Sequence, residues 1–285
     1  MRADDAEFVR SQYATEANLA ARKAVYATSE GPSARDAAID AVAEAQPRRV
    51  LEVGGGEGEL AERIVHELGA ELVAIDQSER MVEIQSTAGL DARVGDVQNL
   101  PFGDAEFDVV LAAWMLYHVP DLDRGLREIV RVLRPGGRLV AVTNAIEHLQ
   151  ELWELARRDT SIRQFTFRSE NGEEVLRRHF PRVERRDVHG WLTMDDQAVR
   201  GYAESWDDLA AAAEALPLAA PLRVRRFSTV FVAEKAAYVR SGGLGGAGAP
   251  KAAPTIPRCA PRESCAQGSA PSSSPRVTSS GRLPR

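Results

Sequence analysis

The stretch VLEVGGGEGEL, Val50 to Leu60, sets Gly54, Gly56 and Gly58 at alternate positions behind an apolar run, with Glu52 ahead of them and Glu57 between them. A glycine-rich turn from a strand into a helix lets the backbone come close to a ligand and aims helix N-terminal amides at it. Three chemistries use such a turn. A phosphate-cradling loop needs a Lys followed by Ser or Thr, and neither follows Gly54 or Gly58 at a useful distance. A dinucleotide fingerprint starts correctly at Gly54 and Gly56 but carries Glu59 where its third glycine or alanine belongs. Carboxylates beside a pyrophosphate would repel it by about 4 kcal/mol per close pair at an effective dielectric of roughly 20. The same carboxylates suit a ligand that is cationic and carries no phosphate.

S-adenosylmethionine has that profile: an adenosine, a sulfonium and an ammonium, with no phosphoryl group. Asp76 ends the next strand-like run, ELVAID, roughly 20 residues past the first glycine, where a carboxylate accepts both hydroxyls of a ribose. In ARVGDVQNLPF, Asp96 is placed to accept from an adenine amino group while the Val97 amide donates to a ring nitrogen; Asp96 as a plain turn acid is the rival reading. In WMLYHVPD, His118 is the histidine best placed for general-base work, against a second reading in which it shapes a turn with Pro120 while Asp121 caps the following helix. Trp191, Tyr202 and Trp206 either cap a flat apolar acceptor or belong to the core. The remaining histidines, His66, His148, His179 and His189, are spread too widely for a metal cluster, so no metal is expected.

Compression and charge bound the function further. The chain has 285 residues, 44% hydrophobic and 27% charged, which is ordinary globular composition. Both cysteines, Cys259 and Cys265, fall in a C-terminal stretch, so the rest offers no thiolate nucleophile or zinc-binding thiols. A formal net charge of -6 argues against a general polyanion binder, and no nucleic acid is expected as partner. The acidic start MRADDAEFVR lacks the basic and apolar regions of a signal peptide, and no apolar run approaches membrane-spanning length, so a cytoplasmic protein without membrane insertion is expected.

Those residues must be held by elements, and the alternation of patterns says which. RRVLEV, ELVAID, ARVGD, FDVVLAAW and GRLVAVTN read as strands, separated by GELAERIVHELG, SERMVEIQSTAG and DLDRGLREIVRVLRPGG, whose apolar residues recur at three and four. This is βαβ repetition, and right-handed crossovers put every strand-to-helix loop on one edge of a parallel sheet. After Asn144 the rhythm changes to helices and two later strands, VERRDVHGW and LRVRRFSTVFVAEK, able to pair antiparallel. Residues 1–45 read as an N-terminal helical cap, 46–240 as one catalytic domain with a helical insertion at about 190–221, and 241–285, rich in Gly, Pro, Ala and Ser, as a disordered tail.

The segments VLEVGGGEGELAERI, LVAIDQSERMVEIQ and VGDVQNLPFGDAEFDVVLAAWMLYHVPDLDRGLREIVRVLRPGGRLVAVT resemble the class I S-adenosylmethionine-dependent methyltransferases, in the small-molecule branch that includes ubiquinone and menaquinone biosynthesis enzymes. The resemblance covers about residues 48–144 and departs at Gly55-Gly56-Glu57, where the family often shows Cys-Gly-Thr. It implies a Rossmann-like, doubly wound α/β sheet of seven strands, the last antiparallel. It also implies that Glu52, Gly54, Gly56 and Gly58 hold the methionyl part, Asp76 with Gln77 the ribose, and Asp96 with Val97 the adenine. Ala113, Trp114 and Tyr117 would line the methyl-transfer chamber, and Tyr13 and Arg22 would clamp the methionyl carboxylate. The expected protein is a monomer or weak homodimer that methylates a small-molecule acceptor by in-line displacement. The alternatives are a nicotinamide oxidoreductase or a non-catalytic S-adenosylmethionine-binding protein.

Overall fold

Side chains of β2 (Arg49–Val53), β3 (Glu71–Asp76) and β5 (Phe107–Ala113) are buried almost throughout, as expected of strands covered on both faces. In the computed structural model, which describes residues 16–155, 165–206 and 221–237, these strands form the centre of one sheet. The chain divides into two units, Met1–Val239 and Arg240–Arg285; the second, with the expected disordered tail, lies outside the described residues, as do Tyr13 and residues 207–220 of the expected insertion.

With β1 (Ser29–Glu30), β4 (Asp91–Val94), β6 (Leu133–Asn144), β7 (Arg182–Met194) and β8 (Leu222–Glu234), the sheet has eight strands in the order β1-β7-β8-β6-β5-β2-β3-β4. Strands β2 to β6 pair in parallel, and β8 runs antiparallel to both β6 and β7. The expected sheet is therefore present with one more strand than the seven implied. The addition is β1, two residues pairing with Trp191 and Leu192, too short to leave a period in the sequence.

Two apolar layers flank the sheet. On one face Leu126 and Ile129, from the helix Leu122–Val132, join Leu51, Val110 and Phe231; on the other, Ala38, Ile39 and Val42, from the helix Ala34–Ala43, meet Val50, Leu111 and Val230. The helices start where the sequence supplies a cap. Ser33, Ser78, Asp121 and Asp195 each accept a hydrogen bond from the backbone amide three residues on. Asp121 thus has the capping role read from the sequence.

A third apolar cluster joins Val25, Leu152, Trp153, Leu192, Val199 and Tyr202, bringing the N-terminal segment together with the helix Asp196–Glu204. Here the expected boundaries move. Strand β7 continues to Met194, so Trp191 is a strand residue paired with Glu30 rather than the start of a helical insertion. Register against β8 is unbroken from Arg182 to Met194, and that ladder outweighs the turn propensity of Gly190.

Candidate functional site

In a doubly wound sheet the crevice opens where strand order reverses, outside the carboxyl ends of the strands. Here β2 sits between β3 and β5, so the loop after β2 and the loop after β5 face each other across that point. Gly54 and Gly56 have φ of 67° and 58°, left-handed values that a side chain would strain. A Cβ on Gly54 would lie 2.8 Å from Met115 Cβ, so the β2 loop can approach the β5 loop only without one. Gly56 has open space where a Cβ would stand, as a backbone that meets a ligand must.

Two cavities open on this edge, of about 410 and 510 Å³, and Gly54, Gly56, Trp114 and His118 line both. The larger is bounded by Asp76, Gln77, Ser78, Gly95 and Val97. The smaller reaches Glu52, Ala113 and Tyr117 and, from the covering layer, Arg22, Tyr26, Tyr202 and Trp206. The structure thus brings Glu52, Gly54, Gly56, Asp76, Gln77, Val97, Ala113, Trp114, Tyr117, His118, Arg22, Tyr202 and Trp206 to one edge of the sheet. It does not bring Trp191, which is 38% exposed on β7 and has Arg223 over its ring. Trp191 therefore leaves the acceptor pocket; alternation along the strand sends it to the outer face.

Two further assignments are corrected by geometry. Both carboxylate oxygens of Asp96 accept from Gln98, whose backbone amide is 2.8 Å from Oδ1, so Asp96 closes its own turn, and only Val97 borders the cavity. Gly58 lines neither cavity: its amide donates to the Gly55 carbonyl at 3.0 Å, and a Cβ would meet Leu90 at 2.9 Å. It packs the helix start against its neighbour, the third-glycine role in such loops.

The acids of the glycine loop separate into two kinds. Glu57 is paired with Lys23, and Glu59 lies 3.6 Å from Lys23 and 3.2 Å from Arg35, so the outer acids bind the N-terminal segment to the loop. Glu52 is 1% exposed, and its Oε2 has no hydrogen-bond partner. Burial, and then the nearby Asp76, push its carboxyl up to about 8. Gly55 is required for this arrangement, since a Cβ there would stand 2.4 Å from Glu52 Oε2. Asp76 is likewise raised by burial, opposed by hydrogen bonds from the Ser78, Gly56 and Gln77 amides.

Arg22 donates to the Ser205 carbonyl, and its guanidinium lies 3.9 Å from the Trp206 ring centre, which ties the N-terminal helix Glu16–Ala24 to the covering layer. Several residues in or behind the cavity walls carried no readable signal. Gln85, fully buried, donates to the Gly56 carbonyl at 2.6 Å and braces the loop from the next helix. Asn144, at the end of β6, accepts from the Trp114 indole at 3.0 Å and from Ser228 at 2.7 Å. Tyr26 and Arg226 meet at the cavity from positions 200 residues apart in the sequence, which no local pattern reveals.

Residues 51–141 match the model of the methyltransferase domain family. An uncharacterized methyltransferase of Mycobacterium tuberculosis is 38% identical over 134 residues, 45% of this chain and 54% of the relative. A ubiquinone/menaquinone biosynthesis C-methyltransferase of Dinoroseobacter shibae is 38% identical over 117 residues, 38% of this chain and 47% of the relative. The chain spans about half the length of these curated relatives. In fold it resembles the YcgJ protein of Bacillus subtilis, with a TM-score of 0.53 at 18% identity over 70% of this chain and 99% of that one. The stretch similar to the methyltransferase domain family, residues 51–141, carries the parallel strands β3 to β5 and most of β2 and β6 of the mixed sheet described above.

Proposed function

We propose that this chain is an S-adenosylmethionine-dependent methyltransferase acting on a small-molecule acceptor. The observation that carries the reading is Glu52: a buried carboxyl with an unpartnered oxygen beside the Gly54–Gly56 turn, with Asp76 close by. Such a cradle is hostile to a pyrophosphate and leaves one acceptor atom to be satisfied by a cationic guest.

Glu52, Gly54 and Gly56 would hold the methionyl part, Asp76 and Gln77 the ribose, and Val97 the base, with Arg22 at the methionyl carboxylate. When bound, the donor supplies an electrophilic methyl carbon on a sulfonium. The work left to the protein is alignment and exclusion of water, and positioning of this kind supplies about 7–11 kcal/mol of a barrier. Trp114, common to both cavities, and Tyr117, on the smaller one, would line the methyl-transfer chamber, with Tyr202 and Trp206 on the smaller cavity as its cover. His118, common to both cavities, would take a proton from the acceptor where the reaction requires it.

Calorimetric titration with S-adenosylhomocysteine and with NAD tests the assignment. Binding of the former and not the latter is expected; the reverse, or a pyrophosphate found on Gly54–Gly56, sinks it.

A further inference from the structure

Arg226 is a cation in an unusual setting. It lies within β8, opposite Gly190 of β7 and two residues past the last pairing with β6, Asn144 with Ser228, at the wall of the smaller cavity. It is only 5% exposed. Its Nη2 donates to the Pro32 carbonyl, and its Nε is buried with no partner. The seat is shaped for it, because a Cβ on Gly190 would lie 2.5 Å from Nη2. Burial holds its guanidinium below the ordinary arginine value; Tyr26 opposes this and Arg35 adds to it.

The other charges around the cavity are accounted for. Lys23 is engaged by Glu57 and Glu59, and Arg35 by Glu59. Arg22, assigned above to the donor's carboxylate, bonds the Ser205 carbonyl. Among the described residues no carboxylate pairs with Arg226. A guanidinium removed from water without a counter-charge is unfavourable unless something else supplies that charge.

We infer that Arg226 anchors a carboxylate of the methyl acceptor, so that the substrates of this enzyme are small carboxylic acids. A single guanidinium balances the single negative charge of a carboxylate, to which its planar fork donates bidentately, and would leave a dianionic phosphate with an uncompensated charge in a buried seat. Tyr26 and Trp206 on the same cavity offer flat surfaces for the body of such a molecule. The inference rests on the proposed methyltransferase function.

The test uses the full chain saturated with S-adenosylhomocysteine, titrated with benzoate and with its neutral isostere benzamide. The native protein is expected to prefer benzoate at least tenfold, and Arg226→Met to reduce that preference below twofold. Equal binding of the two by the native protein, or a preference that survives in Arg226→Met, overturns the inference. Separately, S-adenosylhomocysteine is compared with 5′-methylthioadenosine, which lacks the amino-acid carboxylate. If Arg226→Met weakens only the former, the donor's own carboxylate occupies Arg226 and the acceptor assignment is overturned. Should Arg226→Met not fold, Gly190→Ala, which crowds the same seat, and the native benzoate-to-benzamide ratio decide. Failure of the native protein to bind S-adenosylhomocysteine at all is a failure of the proposed function, visible before benzoate is added.

Discussion

Two carboxyls of the site make separable predictions. Asp76→Ala should weaken S-adenosylhomocysteine binding at least tenfold, about 1.4 kcal/mol, the scale of a charge-assisted hydrogen bond; unchanged affinity by calorimetry removes Asp76 from the ribose. Glu52 has a pH signature. Its folded carboxyl titrates near 8, above the unfolded value, so the fold binds the extra proton. The stability tied to that proton is fully present below the unfolded glutamate value of about 4.3 and is lost as pH rises through about 8. Without ligand, the native melting temperature should therefore fall more between pH 5 and 8.5 than that of Glu52→Gln; parallel curves refute the buried-acid account. The types and spacing of Gly54, Gly56 and Asp76 were readable because backbone approach and ribose recognition demand particular residues. The division of labour among Glu52, Glu57 and Glu59 was not, because it depends on Lys23 and Arg35 arriving from another segment. Asp96 shows the converse: a residue type right for recognition bonded instead to Gln98, two positions away.

At the scale of elements, the crossover units were legible because the central strands β2, β3 and β5 are buried on both faces and the helices between them on one, giving two distinct periods. The late strands β7 and β8 were legible as strands, but their extent was not; a 13-residue antiparallel ladder is a cooperative property of the pair. Their packing gives a stability prediction. Phe231 is fully buried and meets Phe167 edge-on, with ring centres 5.7 Å apart. A Cβ on Gly172 would stand 2.4 Å from Phe231 Cε2, so Gly172→Ala should destabilise the domain by about 1–3 kcal/mol in urea unfolding through overpacking. A neutral result would mean that the helix Gly172–Arg177 shifts freely over the sheet.

At the scale of the molecule, the N-terminal segment and the helix Asp196–Glu204 cover one sheet edge, held by Lys23 on the glycine loop and Arg22 on Ser205. The sequence indicated that residues ahead of the first strand were free to fold over this edge. Which side chains they deliver became visible only once β1 had paired with β7, because that pairing sets where Tyr26 and Arg35 stand. A ligand bound to the folded state alone stabilises it by mass action, about 2.7 kcal/mol at one hundred times its dissociation constant. Saturating S-adenosylhomocysteine should thus raise the melting temperature by roughly 5–10 °C in a domain of this size, and NAD should leave it unchanged.

Trp114 has φ of 55°, a left-handed conformation costly for a bulky residue, and its amide and indole are both tied down, to Val142 and Asn144. Under the proposed function, the need for an aromatic wall and the folding preference of the backbone pull in opposite directions at this position. Of two truncations that remove the same indole, Trp114→Gly should melt higher than Trp114→Ala by the equivalent of about 1 kcal/mol, although both lose turnover. Robustness alone would favour glycine at this position, so under the proposed function the tryptophan is a cost borne for the reaction.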